Sequence, residues 1–485
     1  MGLVAPADPV RVAELGTVHF VGIGGAGMSG IARIMLGMGV PVSGCDARHS
    51  VQLDELSALG AAVQVGHDAG HLGGVATMVI STAIRQDNPE LAAARRRGLR
   101  IMHRGAALAS VMLGRRGIAV VGTHGKTTTS SMLATALERC GAAPGYLIGG
   151  TLVSTGLGAA CGAGEYFVAE ADESDGSFLL LAPDAAIVTN IEPDHLDNYA
   201  SVTEIEAAFE RFASRISPDG LLITCADDSG TRALAAAMTG SGLRVRSYGE
   251  APDADYRVAN VTPRGMGVSF EVCATQRPPF GIKLVVPGRH NALNAAAALA
   301  TTVELGFPAE EAAAGLSTFR GARRRLEPKG DGDGVRVLDT YAHHPTELAA
   351  DLRTAREIVG GAGPAGGAGP AGGRVIAVFQ PHLYSRTRIF AAEFGAALGL
   401  ADEALVLDVY AAREDPEPGV SGRLVADAVP DGRGQYTADR AAIPALVAGM
   451  AKPGDLVLTM GAGDVTELGP LIVAALGARN DGGNP

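Results

Sequence analysis

Short apolar runs that end in glycine or polar clusters recur along the chain, each followed by a stretch whose apolar residues lie three and four apart. This is the pattern of strands alternating with amphipathic helices. "TVHFVGIGGAGMSGIARIMLGMG" begins as a strand, passes through Gly22-x-Gly24-x-x-Gly27, and continues with helical spacing through Met28, Ile31, Ile34, Met35 and Met38 to Gly39. "VPVSGCD" supplies a second strand, "ATMVISTAI" runs into Ser81 and Thr82, and "GLRIMHRGAAL" into His103 and Arg104. Further on, "RGIAVVG" predicts a strand, Gly122 to Lys126 a loop, and Thr127 to Arg139 a helix that ends at Gly141. "EYFVAE" and "AAIVTN" read as strands, "RHNALNAAAALATTVELG" as a long helix, and "VRVLDTYAHHPTELAADL" as strand, polar turn and helix with Pro345 in the first turn. "RVIAVF", "ALVLDVY" and "DLVLTMGAGD" complete the series. The alternation predicts an α/β protein built on parallel sheets.

At 485 residues the chain is too long for one hydrophobic core. Three domains are expected: a Rossmann-like domain over 1–114, a central phosphate-loop domain over 115–320, and a second Rossmann-like domain over 321–485. The last contains "GGAGPAGGAGPAGG" at 360–373, which has almost no side chains to bury and reads as a flexible surface insertion. Apolar runs long enough to span a bilayer are absent, and the opening "MGLVAPADPV" lacks the basic flank and apolar stretch of a signal peptide, so a cytoplasmic protein is expected. The net charge of −12 argues against nucleic-acid or membrane-surface binding. Cys45, Cys140, Cys161, Cys225 and Cys273 are far apart with no CxxC, so they read as small core residues rather than a disulfide framework or zinc site.

Candidate chemistry gathers at strand ends. The first glycine turn, with Asp46 about twenty residues beyond it, suits a nucleotide diphosphate and leaves its identity open, NAD included. "VVGTHGKTTT" is shorter by two positions than the usual G-x-x-x-x-G-K-[ST] loop but has the right strand–loop–helix context. Backbone N–H groups of Gly122, Thr123, His124 and Gly125 can face phosphate oxygens, Lys126 can neutralise them, and the Thr127 hydroxyl, with Thr128 beside it, can reach a magnesium ion. Lysine occurs elsewhere only at 283, 329 and 452, so Lys126 is no accident of composition. Glu170, Asp172, Glu173 and Asp175 follow a neighbouring strand and supply the oxygen ligands that Mg²⁺ prefers. His195 follows a third strand, Asn291 and Asn294 share one helical face, and His382, Tyr384, Arg386 and Arg388 follow a strand of the last domain.

In order and spacing, "GIGGAGMSGIA", "GTHGKTTT", "EADESD", "NIEPDHLD", "GRHNALNA", "RGARRRLE", "AHHPTE", "FQPHLYSRT" and "GAGD" resemble the bacterial Mur ligases over roughly residues 17 to 470. The resemblance implies that the short loop binds ATP and that the first turn, through Gly24, Gly25, Ala26, Gly27 and Met28 with Asp46, Ser81, Thr82, His103 and Arg104, binds the UDP of a sugar nucleotide. It implies an ATP-driven amide bond: the lactyl carboxylate of UDP-N-acetylmuramate takes the γ-phosphoryl group, and the amine of L-alanine displaces phosphate from the acyl phosphate. Lys126, Glu170, His195, His343 and Arg386 would be catalytic, with Mg²⁺ on Thr127, Glu170 and His195. Asn291, Asn294 and Arg325 would lie on ATP, Asp339 on its ribose, and His382 and Arg386 on the amino acid. No obligatory protein partner is implied.

Two departures stand out. Leu383 occupies a place where the family often has arginine, and Thr340 and Ala342 stand where Asp and Gly are common. Several relatives hold a magnesium with a lysine carbamate on the helix corresponding to "SVTEIEAAFERFASRI", which has no lysine here. Three other readings remain: a Mur-type ligase that attaches a preformed peptide, a non-catalytic ATP-dependent switch, and an NAD-dependent oxidoreductase, which would leave the second loop unused.

Overall fold

The computed structural model describes residues 9–193, 199, 201–275, 278–360, 372–412 and 414–481. His195 and residues 361–371 of the Gly/Ala/Pro insertion lie outside the described residues. The chain forms two compact units: Met1–Ala259 with Glu271–Ile282 and Leu293–Phe319, and Asn260–Phe270 with Lys283–Ala292 and Arg320–Pro485.

The first unit begins with β1 (Val18–Val21), α1 (Ala26–Gly37), β2 (Val42–Asp46), α2 (Val51–Ala58), β3 (Ala62–Val65), β4 (Thr77–Ile80), α3 (Pro89–Arg96), β5 (Arg100–His103) and α4 (Arg104–Met112). The strands lie in the order β3-β2-β1-β4-β5, all parallel. The order reverses beside β1, so the glycine turn opens at the crevice where doubly wound sheets bind ligands.

A second sheet follows, built from β6 (Arg116–Val121), α5 (Lys126–Arg139), β7 (Gly145–Leu147), β8 (Ala159–Ala160), β9 (Tyr166–Glu170), β10 (Ala185–Val188), α6 (Val202–Ala213), β11 (Leu221–Cys225), α7 (Ser229–Gly240) and β12 (Arg244–Gly249). Strands β13 (Tyr256–Arg264), β14 (Gly267–Ala274) and β15 (Phe280–Leu284) extend it, giving the order β15-β14-β13-β12-β11-β10-β6-β9-β7-β8. β6 is parallel to both neighbours, β10 and β9, and again marks a reversal. Helices α8 (Arg289–Glu304) and α9 (Ala309–Thr318) come next in the chain.

One continuous apolar core joins the first two sheets, running from Phe20 and Ile31 through Met112 and Leu147 to Phe178 and Phe209. A close approach falls at Gly30 of α1, where a Cβ would come within 2.3 Å of Leu147. Alanine there would force the Leu147 side chain to move aside and would crowd Ala159, at 3.2 Å.

The other unit carries the third sheet, formed by β16 (Glu327–Gly332), β17 (Val335–Thr340), β18 (Val375–Phe379), β19 (Glu403–Val406), β20 (Gly434–Tyr436) and β21 (Leu456–Met460). Its order is β16-β17-β21-β18-β19-β20, parallel except for β16 against β17. Helices α10 (Pro345–Gly360) and α11 (Tyr384–Leu398) follow β17 and β18. The central strands β18 and β21 are buried along their whole length, which is why their sequences are nearly unbroken apolar runs, while β17 carries the buried polar residues Asp339 and Thr340 at its end. All three sheets have the expected α/β construction.

Candidate active site

The phosphate loop leaves β6 between the ends of β9 and β10, and its backbone is fixed from both sides. Gly122 has φ +126, and a Cβ there would lie 2.2 Å from Thr189 Oγ1; Gly125 has φ +82, with Asn294 Oδ1 2.8 Å from its would-be Cβ. Neither position accepts a side chain. From the β10 end, Asn190 Oδ1 accepts from His124 N at 2.8 Å, Asn190 Nδ2 donates to His124 O at 3.1 Å, and Thr189 Oγ1 donates to the same carbonyl at 2.6 Å. Thr123 Oγ1 accepts from Glu192 N at 2.9 Å. Asn294, buried on α8, accepts from Thr129 Oγ1 at 3.2 Å. The anchoring residues Thr189 and Asn190 were read from the sequence only as the end of a strand.

The side chains of Lys126 and Thr127 turn toward the end of β9. Lys126 Nζ donates to Glu173 Oε1 at 2.8 Å and to Thr123 O at 3.1 Å. Burial alone would lower the Lys126 pKa, but Glu173, with Asp172 and Glu170, outweighs it and holds the ammonium charged. Thr127 Oγ1 donates to Glu170 Oε1 at 2.8 Å, while the other Glu170 oxygen accepts from Ser130 Oγ at 3.4 Å and from Gly149 N. A hydroxyl and a carboxylate side by side at a helix N-terminus form an all-oxygen donor set of the kind a hard divalent cation takes, so these residues fit magnesium.

The first sheet reaches the same carboxylates. Arg104 Nη2, at the start of α4, donates to Asp172 Oδ2 and Asp175 Oδ2 at 2.9 Å each, and its guanidinium lies against Gly27 of the glycine turn. Burial pushes the Asp172 carboxyl up, but Arg104, the bonds from Ser174 and Lys126 outweigh it and hold the group well below the carboxylate range. His103, whose Nδ1 accepts from Gly105 N at 3.2 Å, is pushed down by burial and by Arg104 against the pull of Asp175 and Asp172. Gly24 N donates to Asp46 Oδ2 at 3.0 Å, so one carboxylate oxygen braces the turn. Ser81 closes the end of β4, its carbonyl accepting from Ile84 N, with Thr82 next to it.

In the other unit, Arg324 Nε donates to Asp339 Oδ2 at 3.2 Å and lies over the Tyr341 ring, with Arg325 over the same ring and 3.7 Å from Glu347. Asp339 is fully buried and also accepts from Thr459 and Thr466 at 2.8 Å, which makes it an internal anchor. His343 N donates to Glu347 Oε2 at 3.0 Å, and the His343 ring meets His382 edge to face at 6.1 Å, with His382 stacked on Tyr410. Asn291 Nδ2 donates to Pro287 O at 2.6 Å. Arg386 is buried on α11. Leu383, the residue before α11, has φ +69, a strained value for a branched side chain.

Family models match three stretches of the chain: the Mur ligase family catalytic domain over residues 17–116, the Mur ligase middle domain over 120–302, and the Mur ligase glutamate ligase domain over 324–463. A protein of Thermobifida fusca, UDP-N-acetylmuramate--L-alanine ligase, is 55% identical over 477 residues, covering 98% of this chain and 100% of its own. Among solved structures, a UDP-N-acetylmuramate-alanine ligase of Thermotoga maritima matches with TM-score 0.78 at 27% identity, covering 96% of this chain and 100% of its own. A murein peptide ligase of Psychrobacter arcticus matches with TM-score 0.68 at 25% identity, over 95% and 98%.

Proposed function

The chain belongs to the Mur ligase family, and on that premise we propose that it joins L-alanine to the lactyl carboxylate of UDP-N-acetylmuramate with hydrolysis of ATP to ADP and phosphate, a step of peptidoglycan synthesis in the cytoplasm. Among the described residues no helix is long and apolar enough to cross a membrane. The observation that carries the choice of alanine over a preformed peptide is the end-to-end relative at 55% identity that is named for alanine, against 25% for the peptide ligase. The oxidoreductase reading leaves the Lys126 loop without a task, and the non-catalytic switch leaves His343, His382 and Arg386 without one.

The physical difficulty of the reaction is a carboxylate approaching a triphosphate, like charges that repel by several kcal/mol at an effective dielectric of about 20. Lys126 and the N-terminus of α5 place positive charge on the phosphates, and Gly122 to Gly125 present backbone donors that Asn190 and Thr189 hold in place. Thr127 and Glu170 would hold Mg²⁺, which when bound screens phosphate charge. A lactyl oxygen forms a bond to the γ-phosphorus as the bond to the ADP oxygen breaks. The alanine nitrogen then attacks the acyl carbon, loses a proton, and expels inorganic phosphate. Gly24 to Met28, Asp46, Ser81, Thr82, His103 and Arg104 are assigned to the sugar nucleotide. Asn291, Asn294 and Arg325 are assigned to ATP. His343 and His382 are assigned to the acceptor side, and Arg386 to the alanine carboxylate, which a guanidinium fork matches. The proposed functional domains are 1–114, 115–320 and 321–485. Phosphate release with UDP-N-acetylmuramate against a panel of amino acids and a tripeptide tests the reading: alanine should be strongly preferred, and turnover with tripeptide alone would overturn it.

A further inference from the structure

The face of the first sheet covered by α3 holds a cluster that the phosphate and sugar-nucleotide sites do not use. Cys45 lies next to the end of β2, His19 lies in β1, His67 follows β3, His71 lies in the 3-10 turn Ala69–Leu72, and Glu90 lies in the first turn of α3. Asn88 caps that helix by accepting from Glu90 N and Leu91 N, with Pro89 at its first position, so the Glu90 side chain is delivered from a rigid element.

Glu90 is fully buried. Its Oε2 lies 2.7 Å from Cys45 Sγ and 3.0 Å from His67 Nδ1, and its Oε1 lies 2.7 Å from His71 Nδ1. Cys45 Sγ and His67 Nδ1 are themselves 3.1 Å apart. On the inner side, His19 is 1% exposed, and its Nε2 lies 3.4 Å from Glu90 Oε1 with no hydrogen bond. The other ring nitrogen, His19 Nδ1, is 2.9 Å from Ser43 Oγ. A proton placed on Nδ1 and given to Ser43 leaves the Nε2 lone pair directed into the cluster, the arrangement by which an outer hydrogen bond prepares an imidazole for a metal. Ligand atoms of His19, Cys45 and Glu90 all lie within 4.8 Å of one another.

We propose that His19, Cys45, His67 and Glu90 form a site for one thiophilic divalent cation of the zinc class, with His71 holding the Glu90 carboxylate from the solvent side. Charge favours this occupant, because one thiolate and one carboxylate neutralise a divalent ion while two imidazoles complete a four-coordinate set; binding releases the Cys45 proton to solvent. Size favours it as well. Zinc–nitrogen and zinc–sulfur bonds of about 2.0–2.3 Å place tetrahedral ligand atoms roughly 3.3–3.7 Å apart, so the spacings of 2.7, 3.0 and 3.1 Å among Cys45, Glu90 and His67 need to open by up to about 1 Å. Donor chemistry excludes magnesium, which seeks oxygen ligands. A path in is provided by His67 and His71, whose side chains are 25% and 17% exposed. The ion would tie β1, β2, α3 and the loop after β3 together one residue from Asp46. Cys45 O already accepts from Gly22 N and Ile23 N at 2.8 and 3.0 Å, so the tie extends to the glycine turn.

The test uses the full chain purified without a metal-chelating tag. Metal analysis should find about one zinc per chain, and Co²⁺ loaded after chelator stripping should give a thiolate-to-cobalt charge-transfer band. Cys45→Ser and Glu90→Gln should abolish both. If Cys45→Ser fails to fold, a variant with Cys140, Cys161, Cys225 and Cys273 replaced by alanine should keep the band, because Cys45 remains. A wild-type chain that neither retains zinc nor gives the band with Co²⁺ overturns the site, as does metal that Cys45→Ser leaves in place.

Discussion

Lys126 Nζ donates to Glu173 Oε1 at 2.8 Å, with the two side chains 16% and 4% exposed, so the cation of the phosphate loop is matched by a carboxylate buried in the same unit. A triphosphate reaching Lys126 competes with that carboxylate. Replacing Lys126 by methionine should abolish ligation and also cost about 3–5 kcal/mol of stability, because it leaves a buried charge without its partner. Adding Glu173→Gln should restore most of the stability and none of the activity. Urea unfolding beside phosphate release checks both halves, and a double variant as unstable as the single one would contradict the pairing.

Arg104 bridges the glycine-turn sheet to the acidic end of β9 through Asp172 and Asp175. Arg104→Met should lose about 1.5–3 kcal/mol, the range for hydrogen bonds to charged groups, and should weaken UDP-N-acetylmuramate binding in calorimetry. ATP affinity should change less than sugar-nucleotide affinity. The reverse order would remove Arg104 from the first subsite.

Asp351 of α10 accepts from Thr340 Oγ1 at 2.5 Å, and burial, with Glu347 adding to it, pushes its pKa up to about 7 against the Thr340 bond and Arg325. Because the folded value lies above the ordinary one, its contribution to stability is full below about pH 4 and is lost as pH rises through about 7. Asp351→Asn should therefore flatten the decline over that window and be the more stable protein at pH 8. Parallel stability profiles for the two proteins would contradict this.

Helix α6 spans Val202–Ala213 without a lysine, and arginine cannot form a carbamate because its guanidinium stays protonated. Turnover in degassed buffer should equal turnover with added bicarbonate at fixed pH and ionic strength. A several-fold stimulation would show that a lysine from elsewhere in the chain serves the metal.

What could be read from the sequence depended on how local its cause was. The loop from Gly122 to Thr128 was legible because positive φ, a helix N-terminus and a lysine are fixed by neighbours in the chain, and the parallel cores of the three sheets were legible because buried strands must be apolar. The β13–β15 ribbon passed unread, its polar and apolar positions mixed by partial exposure. Pairings across strands were equally hidden: nothing near Glu173 announces Lys126, nor anything near Asn190 its grip on His124. Asp339 is expected on a ribose, but its bonds from Thr459 and Thr466, more than a hundred residues on, have no local sign in the sequence. The cluster at Cys45 draws its members from positions 19 to 90, too far apart for any spacing to show, and the sequence alone reads Cys45 as a small core residue.

The central claim is that a lactyl carboxylate is activated as an acyl phosphate before the alanine amine attacks. It is tested most directly with UDP-N-acetylmuramate carrying ¹⁸O in that carboxylate, ATP, magnesium and L-alanine, by mass analysis of the phosphate released. Transfer of one labelled oxygen into phosphate for each amide bond formed is the predicted result. Alanine-dependent turnover that releases unlabelled phosphate would contradict it.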